Sequence, residues 1–175
     1  MSHAAQSDKV KLNLGGGREK LHGYLNLDIL DFEEVDIVCD VVKGIPLADN
    51  SVEEIVANHF LEHIPDTFKV MSELYRVSAP GAILRIKCPY FKSIGAFKDP
   101  SHVSFFTERT FEYFDPDFVR KGLLPDYATR AVFKTEKISY IWSKRWMRYL
   151  PFKKFLVDHF WNVARTIYYE LRVVK

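Results

Sequence analysis

Two short stretches near the amino terminus decide the fold: Lys11-Leu-Asn-Leu-Gly-Gly-Gly17 and Tyr24-Leu-Asn-Leu-Asp28. The first predicts a buried strand that enters three glycines, and the second predicts a strand that ends on an acid. Glycines let the backbone approach a ligand closely, and an acid closing the next strand can accept both hydroxyls of a ribose. This layout is typical of a nucleoside-cofactor site, whereas a glycine triplet alone indicates no more than a tight turn.

Strand and helix patterns alternate through the first two thirds of the chain, which predicts an α/β protein with a mostly parallel sheet. Residues 18–23 are too few for the helix that normally connects two parallel strands, so the first crossover is expected to lack one. A helix is predicted from Pro65 to about Ser78, and a shorter one over 52–55. The predicted strands cover 11–14, 24–27, 35–41, 55–58, 82–88, 131–142 and 166–174.

The composition of this 175-residue chain, 47% hydrophobic, fits one globular domain over 10–175 preceded by a flexible tail over 1–9. Cys39 and Cys88 lie inside apolar runs and are expected to be reduced core thiols. Neither a signal-peptide pattern nor an apolar run of about 18 residues is present. We therefore expect a cytoplasmic protein.

The formal net charge of +2 conceals an uneven distribution. Residues 1–115 hold 12 Lys and Arg against 18 Asp and Glu, while residues 116–175 hold 13 against 5 and all three tryptophans. Within this basic part, 143–163 is predicted to be a helical insertion of two helices broken at Pro151. Its apolar stripe can pack on the sheet, or it can contact an anionic membrane surface through a face bearing Arg145, Arg148, Lys153 and Lys154.

Five segments occur in the order typical of class I S-adenosylmethionine-dependent methyltransferases, and the chain resembles that family from about Lys11 to Phe114. They are LNLGGG at 12–17, Asp28, Cys39-Asp40-Val41, IPLADNSVEEIVANHFLEHI at 45–64 and RVSAPGAILRIKCPY at 76–90. The resemblance implies a Rossmann-like, mostly parallel seven-stranded sheet with an antiparallel last strand and helices on both faces. It also implies S-adenosylmethionine as the cofactor.

The same resemblance implies which residues bind the cofactor. Asp28 corresponds to the ribose acid, Asp40 and Val41 to the segment that lines the adenine, and His59 to a backbone contact. The first motif usually opens with an acid, where this chain has Asn13. The cofactor-binding residues expected are Leu14, Gly15, Gly16, Gly17, Asp28, Asp40, Val41 and His59.

His102 is the predicted catalytic residue. It follows Pro100 and Ser101 in a loop after the fifth strand, over the carboxyl ends of the strands, where open α/β sheets bind ligands. As a general base it can take the proton of an acceptor hydroxyl. The alternative is a histidine that caps the loop or packs on neighbouring phenylalanines, and Tyr90 and Asp99 are further candidates on the substrate side.

One stretch of the sequence also suggests a metal site. His59-Phe-Leu-Glu-His63 has the spacing of an inverted zinc-protease motif. The motif begins at a strand end, so its two histidines are not expected to share a helical turn. Glu62, His63 and His102 also resemble metal ligands of the small-RNA 3′-terminal 2′-O-methyltransferases, with His59 replacing a glutamate, which favours softer ions over Mg²⁺. We expect no resident metal and keep this as an alternative.

The function predicted from the sequence is methyl transfer to an oxygen, or less readily a nitrogen, of a small or lipid- or glycan-linked acceptor. Two alternatives are a non-catalytic methyltransferase-like binding module and a metal-assisted RNA 2′-O-methyltransferase. Nucleic acid is the less favoured partner.

Overall fold

A computed structural model describes residues 9–120 and 129–175, in which seven strands form one mixed sheet. The first five strands in the chain pair in parallel, and β7 runs antiparallel to both of its neighbours. The predicted Rossmann-like sheet with an antiparallel last strand is thereby confirmed. In spatial order β3-β2-β1-β4-β5-β7-β6, the strands are β1 Val10–Leu14, β2 Leu25–Asp28, β3 Ile37–Val38, β4 Val52–Asn58, β5 Ser78–Pro89, β6 Phe133–Trp142 and β7 Ala164–Val173.

Three α-helices accompany the sheet in the described residues: α1 Thr67–Val77, α2 Pro116–Arg120 and α3 Lys153–His159. Asp66 caps α1 by accepting a hydrogen bond from the Lys69 amide at 2.9 Å, and the helix buries Met71 and Leu74. None of these helices has the length and apolar composition needed to cross a membrane. Short 3₁₀ turns cover Leu61–His63, Ile94–Ala96, Thr110–Phe114 and Arg145–Tyr149.

Three element predictions need correction. The short helix expected over 52–55 is wrong, because these residues open β4 and pair with both β1 and β5, so sheet pairing outweighs the helix preference of the two glutamates. The third strand, predicted over 35–41, covers only Ile37–Val38 at the edge of the sheet. The two helices expected around Pro151 are one 3₁₀ turn and the short α3.

Two buried asparagines shape the loop that replaces the first crossover helix. Asn13 and Asn26 each stand in a Leu-Asn-Leu triplet, lie in register on β1 and β2, and are joined by an Nδ2–Oδ1 hydrogen bond of 2.9 Å. Asn13 also donates to the Glu19 carbonyl at 2.8 Å, and Asn26 donates to the carbonyls of Gly17 at 2.8 Å and Glu34 at 3.1 Å. This amide pair therefore holds the glycine loop at Gly17 and Glu19 and ties it to Glu34 after β2.

The three glycines serve different purposes. A Cβ on Gly16 would lie 2.0 Å from the side-chain oxygen of Asn26 and 2.2 Å from the side-chain nitrogen of Asn13, so the loop backbone rests directly on the amide pair. Gly15 and Gly17 instead adopt positive φ angles of 61° and 50°, which residues with a side chain rarely adopt.

Replacing Asn13 by aspartate, the acid expected from the family, is predicted to destabilise this protein. The asparagine nitrogen donates to two oxygens, those of Asn26 and Glu19, and a carboxylate there would face both of them. We expect Asn13→Asp to lower the free energy of unfolding by about 2–4 kcal/mol, measured by urea denaturation. The exposed Asn50, whose side chain accepts from Lys175, is the matched control, and Asn50→Asp should change stability by less than about 0.5 kcal/mol. Equal stability of the two variants would contradict the amide-pair argument.

Candidate functional site

A cavity of about 470 Å³ lies at the carboxyl ends of β1 to β4, a size suited to a small ligand. Each of the four strands contributes the residues that immediately end or follow it. The cavity is lined by Gly15, Leu27, Asp28, Ile29, Cys39, Asp40, Val41, Val42, His59, Phe60, His63, Ile64 and Pro65.

The Asp28 carboxylate is held in place before any ligand arrives. One oxygen accepts the Gly17 amide at 2.9 Å, and the other accepts the Leu30 amide at 3.0 Å. Because each carboxylate oxygen can accept a second hydrogen bond, both stay able to receive the hydroxyls of a ribose. The geometry therefore fits the nucleoside part of the expected cofactor.

Asp40 and Val41, which follow β3, also line this cavity. The Asp40 carboxylate accepts the Val42 amide at 3.0 Å and lies 3.4 Å from the Lys43 ammonium. Next to it, burial and then the negative charge of Asp40 raise the pKa of the Cys39 thiol. Both cysteines are free thiols, and the apolar side chains of Leu27, Val41, Val42 and Ile64 suit a flat base.

The remaining cofactor residues predicted from the sequence take less direct positions. Leu14 is fully buried in β1 beneath the loop, and Gly16 lines a neighbouring cavity of about 370 Å³ together with Asn13 and Glu19. Gly17 acts through its amide on Asp28. Their contact with a cofactor stays a prediction.

His59 stands where the cavities meet. It follows β4 with a positive φ of 53°, a conformation rare for residues with a side chain, and its amide donates to the Lys87 carbonyl. Its Nδ1 donates to the Glu62 carboxylate at 3.0 Å. His59 lines the 470 Å³ cavity, the neighbouring cavity around Gly16, and a third cavity that contains His102.

The third cavity, of about 300 Å³, adjoins the first because His59 and His63 line both. His102 is 9% exposed here, and its Nδ1 lies 3.1 Å from the Ala96 carbonyl. Since a carbonyl only accepts, Nδ1 carries the proton and Nε2 of the neutral ring keeps its lone pair. The Ala96 contact is the loop-capping bond considered above, and it leaves the second nitrogen for chemistry.

The two further substrate-side candidates, Asp99 and Tyr90, lie in different surroundings. Asp99 lines the His102 cavity, and its carboxylate lies 3.9 Å from Nε2 of His102. Tyr90 is buried and donates its hydroxyl to Glu108 at 3.0 Å, and burial, reinforced by Glu108, raises its pKa above the ordinary value. A substrate role for Tyr90 is therefore wrong.

Asn26 and Phe60 were not anticipated. A Cβ on Gly15 would lie 2.4 Å from the Phe60 ring, so this phenylalanine forms the floor beneath the first glycine. The repeated Leu-Asn-Leu triplet was the available signal for Asn26, because it places a polar residue at a buried strand position twice. No local pattern marks Phe60, whose position depends on the left-handed turn at His59.

A larger cavity of about 570 Å³ lies between α1 and the 104–114 segment. Five of its eleven lining residues are aromatic, including Phe68, Phe105 and Phe114, and none belongs to the glycine loop or is Asp28. Volume alone therefore does not identify the cofactor site.

Comparison with known proteins agrees with this geometry. The family model described as a methyltransferase domain matches residues 16–86, which include Gly16, Gly17, Asp28, Asp40 and His59. No curated protein sequence matches the chain.

Solved structures extend the likeness to nearly the whole chain. A SAM-dependent methyltransferase from Archaeoglobus fulgidus superposes with a TM-score of 0.64 at 16% identity, covering 94% of this chain and 86% of the other. The YcgJ protein from Bacillus subtilis gives 0.59 at 12% identity, covering 97% and 93%. A SAM-dependent methyltransferase from Methanosarcina mazei gives 0.54 at 14% identity, covering 97% and 94%.

At such low identities these structures speak for the fold alone. Residues 16–86 are thus similar to a methyltransferase domain, and the sheet that contains them has the fold of SAM-dependent methyltransferases of known structure.

Proposed function

We propose that the protein methylates an oxygen atom of an acceptor bound in the cavity around His102. The observation that carries this proposal is that the His102 cavity and the cavity of Asp28 share His59 and His63 as walls. A cofactor in one cavity and an acceptor in the other would therefore be neighbours. Positioning of this kind can supply several kcal/mol of the barrier reduction.

The residues of the second cavity suit proton removal from a hydroxyl. S-adenosylmethionine supplies an electrophilic methyl group on its sulfonium, which becomes a neutral thioether as the new carbon–oxygen bond forms. Nε2 of His102 can accept the proton that the hydroxyl loses. Hydrogen bonds from Ser101 lower the pKa of Asp99, so this carboxylate is ionised and can stabilise the imidazolium that results.

Exposed aromatic rings beside this cavity support a glycan or lipid-linked acceptor. Phe97, next to the Ala96 carbonyl that binds His102, stacks on Phe105 with ring centroids 4.8 Å apart, and Trp161 lies 6.0 Å from Phe97. All three rings are about half exposed. Such a surface offers flat apolar faces to a sugar ring or an acyl chain.

The insertion over 143–163 supports contact with a membrane surface. Val157 and Val163 are buried, but most of the predicted apolar stripe faces outward, including Tyr149 at 71% and Phe152 at 82% exposure. Lys153 and Lys154 follow Phe152 directly. We propose peripheral binding to an anionic bilayer, where aromatic rings insert and lysines pair with headgroups, as the route to a lipid-linked acceptor.

The membrane proposal is tested by flotation with anionic and neutral liposomes. We expect binding to anionic vesicles that weakens as salt is raised, and Lys153→Glu with Lys154→Glu should reduce it about tenfold or more. Lys134 and Lys137, exposed on β6, form the matched control, and their double replacement by glutamate should have a smaller effect. Equal binding to neutral vesicles, or none to either, would remove the proposal.

The catalytic proposal is tested with a panel of soluble glycans, lipid-linked glycans and small RNAs as acceptors. On the accepted class, His102→Ala should lower kcat by about 10²–10⁴-fold without changing the affinity for S-adenosylmethionine. His22→Ala, at an exposed histidine before β2, should retain full activity. Cofactor binding without turnover on any acceptor would instead favour a binding module, and turnover on RNA alone would favour the RNA alternative.

The cofactor site is tested by isothermal titration of S-adenosylmethionine and its demethylated product. Asp28→Ala should weaken both by about 100-fold, because the two ribose hydroxyls lose a charged acceptor. Asp31→Ala, three residues away on the exposed surface, should bind like the unmodified protein. Unchanged affinity in Asp28→Ala would mean that the nucleoside binds elsewhere.

A further inference from the structure

Three side chains in the His102 cavity form a cluster with the chemistry of a metal site. One ligand atom from each of Glu62, His63 and His102 lies within 4.8 Å of the others, and the two imidazole rings meet edge to face at 4.8 Å between centroids. The cluster combines a turn after β4 with the loop after β5. The Glu62 backbone carbonyl joins these segments by accepting the amides of Val103 and Ser104 at 2.9 and 3.1 Å.

Glu62 is the unusual member of the cluster. Its side chain is 1% exposed, and one carboxylate oxygen accepts a hydrogen bond from His59 at 3.0 Å. The other oxygen is buried and has no hydrogen-bond partner among the described residues. A buried carboxylate with an unpaired oxygen is costly unless a cation or a strong donor binds it.

The two histidines are oriented as metal-bound histidines are. His102 donates from Nδ1 to the Ala96 carbonyl. The Ser101 hydroxyl donates to Asp99 at 2.6 Å, so it can only accept from Nδ1 of His63 at 3.0 Å. Each neutral ring therefore keeps its lone pair on Nε2, and each Nδ1–H is anchored by an oxygen, which is the usual outer contact of a metal-bound histidine.

We propose that Glu62, His63 and His102 bind a divalent transition-metal cation at the acceptor end of the site. Two imidazoles and one carboxylate favour Zn²⁺, Mn²⁺, Fe²⁺ or Co²⁺ over Mg²⁺ and Ca²⁺, which prefer all-oxygen ligands. Three protein ligands leave coordination positions for water or a substrate oxygen, as in catalytic zinc sites. Ligand atoms around a tetrahedral zinc lie about 3.4 Å apart. Because the His63 side chain is exposed, it can rotate to bring its ligand nitrogen closer to the other two ligand atoms.

This inference deepens the proposed function and in that respect rests on it. A cation at this position would polarise an acceptor hydroxyl and ease loss of its proton, the role otherwise given to Nε2 of His102. Methyl transfer keeps the same balance: the carbon–sulfur bond breaks, the carbon–oxygen bond forms, and the hydroxyl proton passes to solvent. His102 then acts as a ligand that positions the ion.

Direct titration tests the cation site without cofactor or acceptor. Tag-free protein, stripped with a chelator, is titrated with Zn²⁺ and with Mg²⁺ in a calorimeter, and Co²⁺ binding is followed by its visible absorption. We expect one Zn²⁺ per chain, bound at least tenfold more tightly than Mg²⁺. Glu62→Gln, which keeps the shape of the side chain, and His102→Ala should each weaken Zn²⁺ binding about 100-fold.

His22→Ala is the matched control, because this exposed histidine precedes β2 away from the cluster, and it should bind Zn²⁺ like the unmodified protein. Thermal unfolding establishes that each variant is folded, and His63→Ala replaces Glu62→Gln if the latter is not. The proposal is overturned if Zn²⁺ binds the unmodified protein no more tightly than it binds the Glu62→Gln and His102→Ala double variant. Zn²⁺ binding without S-adenosylmethionine binding would uphold the cation site and overturn the proposed function. S-adenosylmethionine binding without Zn²⁺ binding would overturn the cation site and uphold the proposed function.

Discussion

The hydrogen bond between Asn13 and Asn26 is the constraint on which the cofactor side of the structure depends. In a protein with a full crossover helix, packing of that helix against the sheet would hold the loop after β1. Here ten residues, 15–24, join the two strands without a helix, so two buried amides take over that task. Buried polar groups stabilise a fold only when they are hydrogen-bonded, and both side-chain nitrogens of this pair donate twice: that of Asn13 to the Asn26 oxygen and the Glu19 carbonyl, and that of Asn26 to the carbonyls of Gly17 in the loop and Glu34 after β2.

A second connection joins the two halves of the site. The turn that begins at His59 presents its backbone to the cofactor cavity and the Glu62 side chain to the acceptor cavity, while the Glu62 carbonyl holds the loop that carries His102. The left-handed residue at the end of β4 makes this possible, because it turns the chain sharply enough to place both faces within a few residues. The cofactor and acceptor sides are therefore built on one segment, residues 59–63.

Much of this arrangement could be predicted from the sequence. The positions of most strands along the chain, the missing crossover helix and the position of Asp28 follow from local patterns of apolar residues, glycines and acids, which act over a few residues. Residues 52–55 could not be predicted correctly, because two glutamates favour a helix locally and only pairing with two neighbouring strands makes them a strand. The Phe60 ring beneath Gly15 and the serine between His63 and Asp99 depend on contacts between distant segments, which no local pattern contains. The outward-facing aromatics of 143–163 show the same limit, since periodicity defines an apolar stripe without saying what covers it.

The wall of the cofactor cavity next to Asp28 also affects the thermodynamics of loading. Ile29 lines the cavity yet is 64% exposed, and Leu30 beside it is similarly open to water. A nucleoside seated against Asp28 would remove part of this apolar surface from solvent, and such burial gives a negative change in heat capacity. Binding of the nucleoside should then become more enthalpy-driven as temperature rises.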